Sequence, residues 1–150
     1  APYYLKEPNS EEDPSLFKKS QKKILLDSQW SLKTLHLPEI TIDTDEELET
    51  ILQKFPDLYD LHLCFGSRIT QSGLNFLGKY CMFLRSLNLC YSSLKDHEID
   101  FITKNLPYLE ELSFHCGYKI SSQGIAAIRA NCPHIRVLKL SRISALNKEA

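Results

Sequence analysis

The chain has 150 residues, of which 43% are hydrophobic and 25% charged, and its formal net charge is -1 at pH 7. This length suits one domain with a sizeable core, and the near-neutral charge gives no indication of a nucleic-acid or anionic membrane surface. No apolar run approaches the roughly 20 residues that a membrane helix needs, and the amino-terminal stretch lacks the features of a secretory signal. Because the only methionine is Met82, we expect a processed chain or a fragment.

The first predicted element is a helix near the amino terminus. Asp13 followed by Pro14 is typical of a helix cap with proline at the first helical position, and the segment SLFKKSQKKILL places its apolar residues roughly on one side. We interpret residues 1–31 as a helical cap that covers the core of the next unit. The lysines from Lys18 to Lys23 are typical of a solvated face and only weakly indicate an acidic partner.

From residue 32 onward the chain repeats itself. Five tripeptides of the L-x-L type begin 25 or 26 residues apart, and each has an apolar residue three positions before it. The alternation predicts a short strand with one buried face. The tripeptides are Leu35-His36-Leu37, Leu61-His62-Leu63, Leu87-Asn88-Leu89, Leu112-Ser113-Phe114 and Leu138-Lys139-Leu140.

A helix is predicted in the second half of each unit. In the second unit Leu74, Leu77 and Cys81 recur at spacings of three and four, which is one apolar face of a helix. In the first unit Thr44, followed by Glu47, predicts a capping box. Prolines after three of the helices stop them, and these are Pro56, Pro107 and Pro133. Since one unit cannot bury its own apolar face, we expect the units to stack with parallel strands.

The most complete unit, Leu58 to Leu84, reads L-x-x-L-x-L followed by I-T-x-x-G-L-x-x-L-x-x-x-C-x-x-L. This pattern resembles the cysteine-containing subfamily of leucine-rich repeats, and the resemblance covers about residues 32–146. It implies an α/β leucine-rich-repeat solenoid of about four and a half repeats, with strands on the concave side and helices on the convex side. The domain would span residues 32–150, with units that start at 32, 58, 84, 109 and 135, and a partner would cover its carboxy-terminal end unless the solenoid is cut short.

The subfamily is similar to the substrate-recognising half of F-box ubiquitin-ligase adaptors, and the stretch Trp30 to Leu37 is similar to the junction that enters their first repeat. Residues 1–29 show no convincing F-box. The resemblance implies a non-enzymatic adaptor in the cytoplasm or nucleus, which binds a protein or peptide and reaches a ligase scaffold through a segment outside this chain. The alternative is a scaffold or complex-assembly factor without a ligase, for example in an organelle.

The concave face is the predicted binding surface, because residues between the inward leucines point away from the core. Two ladders are predicted, with a rung spacing of about 4.8 Å: His36, His62, Asn88, Ser113 and Lys139, and beside it Pro38, Cys64, Cys90, His115 and Ser141. Aromatic side chains among histidine and asparagine resemble a protein interface. The predicted partner-binding residues are His36, His62, Cys64, Phe65, Asn88, Cys90, Tyr91, Ser113, His115, Tyr118 and Lys139.

Five cysteines without C-x-x-C spacing argue against a disulfide framework and a zinc finger, and they favour a reducing compartment. Two less favoured alternatives use the concave face: a tetrahedral zinc site or a cysteine–histidine nucleophile pair. The zinc ligands would be His62, Cys64, Cys90 and His115. We expect neither, and therefore no metal, cofactor or catalytic residue. Cys81 and Cys132 are predicted to be buried, unreactive thiols, and Gly73 and Gly124 to allow close packing on the strand layer.

Overall fold

Strands and helices alternate along the chain in the computed structural model, which describes residues 14–90, 94–115 and 120–141. The helices are α1 (Pro14–Asp27), α2 (Asp45–Lys54), α3 (Gln71–Tyr80), α4 (Asp96–Asn105) and α5 (Ser122–Asn131). The strands are β1 (Thr34–Thr44), β2 (Asp60–Arg68), β3 (Ser86–Cys90), β4 (Glu111–His115) and β5 (Val137–Ser141). The strands form one sheet in the order β1-β2-β3-β4-β5, and each neighbouring pair is parallel.

The repeated leucines lie in register across the sheet. One leucine from each strand is paired with a leucine of the next strand, from β1 to β5, and these are Leu35, Leu61, Leu87, Leu112 and Leu138. The first four of these are at most 1% exposed, whereas Leu138 is 37% exposed, because β5 has no further strand beside it in the described residues. The predicted strands and their alternation are therefore confirmed, since every L-x-L tripeptide lies in a parallel strand with its leucines on one line.

The apolar faces of the helices pack on the buried side of this sheet. Leu48, Ile51 and Leu52 of α2 are at most 1% exposed, and Leu74 and Leu77 of α3 are equally buried. They share one core with the strand leucines. The spacing of three and four therefore predicted the correct side of each helix, and the opposite side of the sheet stays open for other side chains.

Helix α1 is anchored to the first strand and to α2. Leu25 is 1% exposed and belongs to the core. The Lys22 ammonium group donates to the main-chain oxygen of Thr41 at 2.8 Å and to the Glu47 carboxylate at 2.5 Å. These contacts place α1 at the β1 edge of the sheet, where an apolar cap was expected. Asp13 lies outside the described residues.

The helix starts use side chains from the same unit and from the unit before. Thr44 Oγ1 accepts from Glu47 N at 3.2 Å, as the capping box predicts, while the Glu47 carboxylate accepts from Asp43 N instead of the cap residue. Asp45, at the start of α2, reaches forward to the next unit. Its carboxylate accepts from Thr70 N at 2.9 Å and also from the Thr70 hydroxyl.

This reach explains why α3 and α5 carry glycine in their first turn. A Cβ added at Gly73 would lie 2.2 Å from Asp45 Oδ1, and one added at Gly124 would lie 2.5 Å from Asp96 Oδ1. Asp96 makes the same contact as Asp45, because its carboxylate accepts from Ser121 N at 2.8 Å. The expected reason, packing on the strand layer, was incomplete: the main obstacle to a side chain is a carboxylate of the preceding helix.

The architecture is α/β, with a parallel sheet whose strand order follows the chain and a helix between successive strands. This arrangement is consistent with a solenoid-like fold, in which each unit contacts its sequence neighbours. Helix pairs in contact are α2–α3, α3–α4 and α4–α5, in the order of the strands. None of the described helices has both the length and the apolar character needed to cross a membrane.

Candidate binding face of the sheet

The first predicted ladder exists on the open side of the sheet. The strand register aligns His36 with His62, His62 with Asn88, Asn88 with Ser113, and Ser113 with Lys139. Exposure rises along this line, since the first four residues are half-buried and Lys139 is exposed. The repeat therefore predicted which side chains stand next to one another, while their role in binding stays a prediction.

The β1 end of the ladder holds a histidine pair and a carboxylate. His36 Nε2 lies 3.0 Å from Asp60 Oδ1, and the rings of His36 and His62 meet edge to face with centroids 5.7 Å apart. Burial is the main cause that lowers the pKa of His62, and repulsion from His36 lowers that pKa further, against a smaller opposite effect of Asp60. His62 therefore favours its neutral form, which can accept as well as donate a hydrogen bond.

The middle of the ladder contains an unsatisfied acceptor. Asn88 Oδ1 is buried and has no hydrogen-bond partner. It lies beside a cavity of about 60 Å³ whose polar lining includes Ser86, Ser113, Glu111 and Lys139. A buried carboxamide oxygen without a donor is costly, and a cavity of this size has room for a water molecule or for an N–H group of a ligand. The described residues therefore leave one acceptor at this point of the ladder without a donor.

The second ladder differs from its prediction at the β1 strand. The register passes from Leu37 directly to Thr41, so that Thr41, and not Pro38, pairs with Cys64. Proline has no N–H group to donate to a neighbouring strand, so it is found at irregular positions of a sheet edge. From Cys64 onward the ladder continues as predicted through Cys90 to His115 and Ser141.

Cys64 and Cys90 are joined by a disulfide bond, with their Cα atoms 4.8 Å apart. The expectation that an odd number of cysteines disfavours disulfides was therefore wrong for this pair. An odd number of cysteines leaves at least one of them without a cysteine partner, but it does not prevent two cysteines on neighbouring strands from forming a disulfide. Cys64 is 3% and Cys90 is 7% exposed, so neither offers the open contact surface that was expected of it.

Phe65 was expected on the concave face and lies in the core instead. It is 6% exposed and packs with the strand leucines. The reason is the period of two along a strand, which puts Phe65 on the same side as Leu61 and Leu63. Tyr91, Tyr118 and Cys116 lie outside the described residues. Of the predicted second group, His115 is exposed, and its Nδ1 lies 2.7 Å from Ser141 Oγ.

The zinc and nucleophile alternatives both require free thiols at Cys64 and Cys90. In the disulfide neither sulfur is a thiolate, and thiolates are the metal ligands and the nucleophiles of cysteine chemistry. The described residues hold no group of three or more histidine, cysteine or acidic side chains that could bind a metal. Burial raises the pKa of the Cys81 thiol to about 12 and that of Cys132 to about 11, so both are unreactive as expected.

Exposed large apolar side chains, three of them aromatic, occur at a place for which the sequence analysis made no prediction. Tyr59, Met82, Phe83 and Tyr108 are 46% to 63% exposed and lie in the turns that lead from a helix into the next strand. Phe83 and Tyr108 stack with ring centroids 5.9 Å apart. The signal was available, because Phe83 and Tyr108 both stand directly before the first leucine of a unit, where the repeat requires no apolar residue.

Comparison with known proteins gives two relatives. No protein-family model matches the chain. The chain is 26% identical over 121 residues to "F-box protein FBX14" of Arabidopsis thaliana, a match that covers 78% of this chain and 19% of the relative. It is 29% identical over 119 residues to "F-box protein SKIP19" of the same organism, covering 78% of this chain and 38% of the relative. The chain thus spans less than half of either relative, and both matches support a relationship with F-box proteins.

Proposed function

We propose that this chain is the partner-recognising, leucine-rich-repeat part of an F-box-type ubiquitin-ligase adaptor. Residues 32–150 would form the repeat domain, with units that start at 32, 58, 84, 109 and 135, and residues 1–31 its amino-terminal cap. The protein would act in the cytoplasm or nucleus. It would hold a protein or peptide for ubiquitination, while other subunits transfer the ubiquitin.

The observation that carries this proposal is the continuous polar ladder on the open side of a parallel sheet. Its side chains offer neutral imidazole at His62, an unsatisfied acceptor at Asn88 and a cation at Lys139. These groups suit an extended segment of protein that supplies both main-chain N–H groups and a carboxylate. The two F-box relatives, each matched over 78% of this chain, support the adaptor role.

A test needs the full-length protein, because the F-box would lie in a segment outside this chain. Co-precipitation from cells should recover the F-box-binding subunit of a ubiquitin ligase together with protein partners. Ser113→Arg places a large cation in the middle of the ladder, and it should remove the protein partners while the ligase subunit is retained. Ala126→Arg is the matched control, since Ala126 is exposed on α5, away from the ladder.

The outcomes separate this proposal from the scaffold alternative. Loss of partners in Ser113→Arg without any ligase subunit in the native precipitate would favour a scaffold or assembly factor. Partners that survive Ser113→Arg, but not Ala126→Arg, would show that the helix side binds and would contradict the proposed face. Circular dichroism of both variants checks that the added arginine leaves the fold intact.

A further inference from the structure

The open side of the sheet carries a disulfide bond that has no part in the binding function proposed above. The disulfide joins Cys64 of β2 to Cys90 of β3, and each cysteine stands two residues after a ladder residue, His62 or Asn88. Residues two apart on a strand share a face. The bond therefore lies on the side that holds the proposed binding ladder and ties two of its rungs together.

We propose that Cys64 and Cys90 form a reversible thiol–disulfide pair that controls the binding ladder. The regulatory part of this inference rests on the function proposed above, whereas the redox chemistry of the pair does not. In the oxidised state the bond holds β2 and β3 at one fixed spacing beside the ladder. In the reduced state two separate thiols occupy the same place.

The geometry allows both states with one backbone. Cys64 and Cys90 are direct register partners in the parallel sheet, and their Cα atoms are 4.8 Å apart. Neighbouring strands are normally about 4.7–4.9 Å apart, and a disulfide accepts Cα distances of about 4.4–6.8 Å. The sheet already supplies the distance that the bond needs, so the bond can form without moving the strands, whereas in the reduced state no covalent link limits their separation.

A histidine stands on the next rung. His115 of β4 is the register partner of Cys90, and its Nδ1 atom lies 2.7 Å from the Ser141 hydroxyl, which orients the ring. Neighbouring strands lie close enough for side chains on one face to interact. The thiolate is the reactive form in disulfide exchange, and polar or positively charged surroundings favour it more than an apolar core does. The reduced pair thus has a polar side chain as its neighbour on the β4 rung.

The cysteines of the described residues fall into two different environments. Cys81 and Cys132 lie in the core at the ends of α3 and α5, where they are 1% and 2% exposed, and burial raises both thiol pKa values. Cys64 and Cys90 are 3% and 7% exposed, and they lie on the open side of the sheet. At these exposures we expect a small thiol to reach the pair through a local opening of the sheet face, whereas the core thiols should react only when the chain unfolds.

A low-molecular-weight disulfide such as oxidised glutathione serves as the oxidant that forms the Cys64–Cys90 bond. The thiolate of one cysteine attacks this disulfide, forms a mixed disulfide and releases one glutathione thiolate. The second cysteine then attacks the protein sulfur of the mixed disulfide, which forms the Cys64–Cys90 bond and releases the second glutathione. Two thiols are oxidised and one small disulfide is reduced, and excess glutathione reverses the sequence.

The test equilibrates the purified chain in glutathione buffers that run from reducing to oxidising, followed by acid quench, unfolding and maleimide labelling. Of the five cysteines, all five should be labelled at the reducing end and three at the oxidising end, in a single two-thiol step. Cys64→Ser should abolish the step. Cys116→Ser should keep it, and peptide mapping of the unreduced native chain should find Cys64 linked to Cys90.

Several results would overturn the inference. These are five labels in the oxidising buffer, a link that persists at the reducing end, or a step that disappears in Cys116→Ser. Where the step is present, partner capture by the full-length protein is compared in both buffers, and preorganisation should favour the oxidised form by about threefold or more. Equal capture in both states would refute the redox control of partner binding but leave the proposed binding function standing. No capture in either state would refute the proposed binding function and leave the redox chemistry of the pair standing.

Discussion

Replacing Gly73 by alanine should destabilise the protein, although alanine is the better helix former. The added Cβ would lie 2.2 Å from Asp45 Oδ1, so the carboxylate must move by about 1 Å to reach a normal contact distance. That movement breaks the bonds it accepts from the Thr70 amide and hydroxyl. The Thr70 hydroxyl also caps α3, since it accepts from Ser72 N.

The expected magnitude combines two opposing terms. Hydrogen bonds to a charged group contribute about 1.5–3 kcal/mol each, and because this contact is partly exposed we take the loss of both at about 2–3 kcal/mol in total. Gly→Ala in a helix recovers about 1 kcal/mol. Gly73→Ala should therefore lower the free energy of unfolding by about 1–2 kcal/mol.

The sign should reverse when the carboxylate is absent. In an Asp45→Ala background the obstacle is gone, and Gly73→Ala should stabilise the chain by up to about 1 kcal/mol. Urea unfolding followed by far-UV circular dichroism measures all four proteins of the cycle, and unchanged m-values show that the transition stays comparable. The Asp96 and Gly124 pair repeats this geometry and should behave in the same way. A stabilising Gly73→Ala in the native background, or equal effects in both backgrounds, would refute the reasoning.

Three further predictions concern α1, a helix cap and a thiol. Leu25→Ala should cost about 2–5 kcal/mol in chemical unfolding because Leu25 is 1% exposed, whereas Ile24→Ala, at 49% exposure, should cost less than about 0.5 kcal/mol; equal effects would show that α1 does not dock. Thr44→Ala should cost about 1 kcal/mol because Glu47 N loses its acceptor, and Thr44→Ser should retain most of the stability. Because burial raises the pKa of Cys81 from 9.0 to about 12, its thiolate forms first in the unfolded chain. The free energy of unfolding should therefore be unaffected below pH 9 and fall by up to about 1.4 kcal/mol per pH unit above it. Cys81→Ala should remove that part of the decline.

Much of the candidate site could be predicted from the sequence repeat. Because parallel strands of equal units align leucine with leucine, the neighbours of His62, Asn88 and Ser113 could be predicted from spacing alone. The unsatisfied oxygen of Asn88 could not, since it depends on the orientation of one side chain and on the atoms around it. Phe65 could have been placed correctly by counting along its strand, and the error came from reading it by composition instead.

The sequence by itself determined the order of strands and helices, the buried face of each, and the ladder on the open side of the sheet. These follow from local periods of two and of three to four residues, which a reader can count. Only the tertiary structure decided the features that depend on distances between units: the Cys64–Cys90 bond, the register shift after Leu37 and the contact that keeps Gly73 a glycine. Such contacts join residues about 25 positions apart. Whether they form depends on small differences in the distance between side chains of neighbouring units, and counting residues cannot supply those distances.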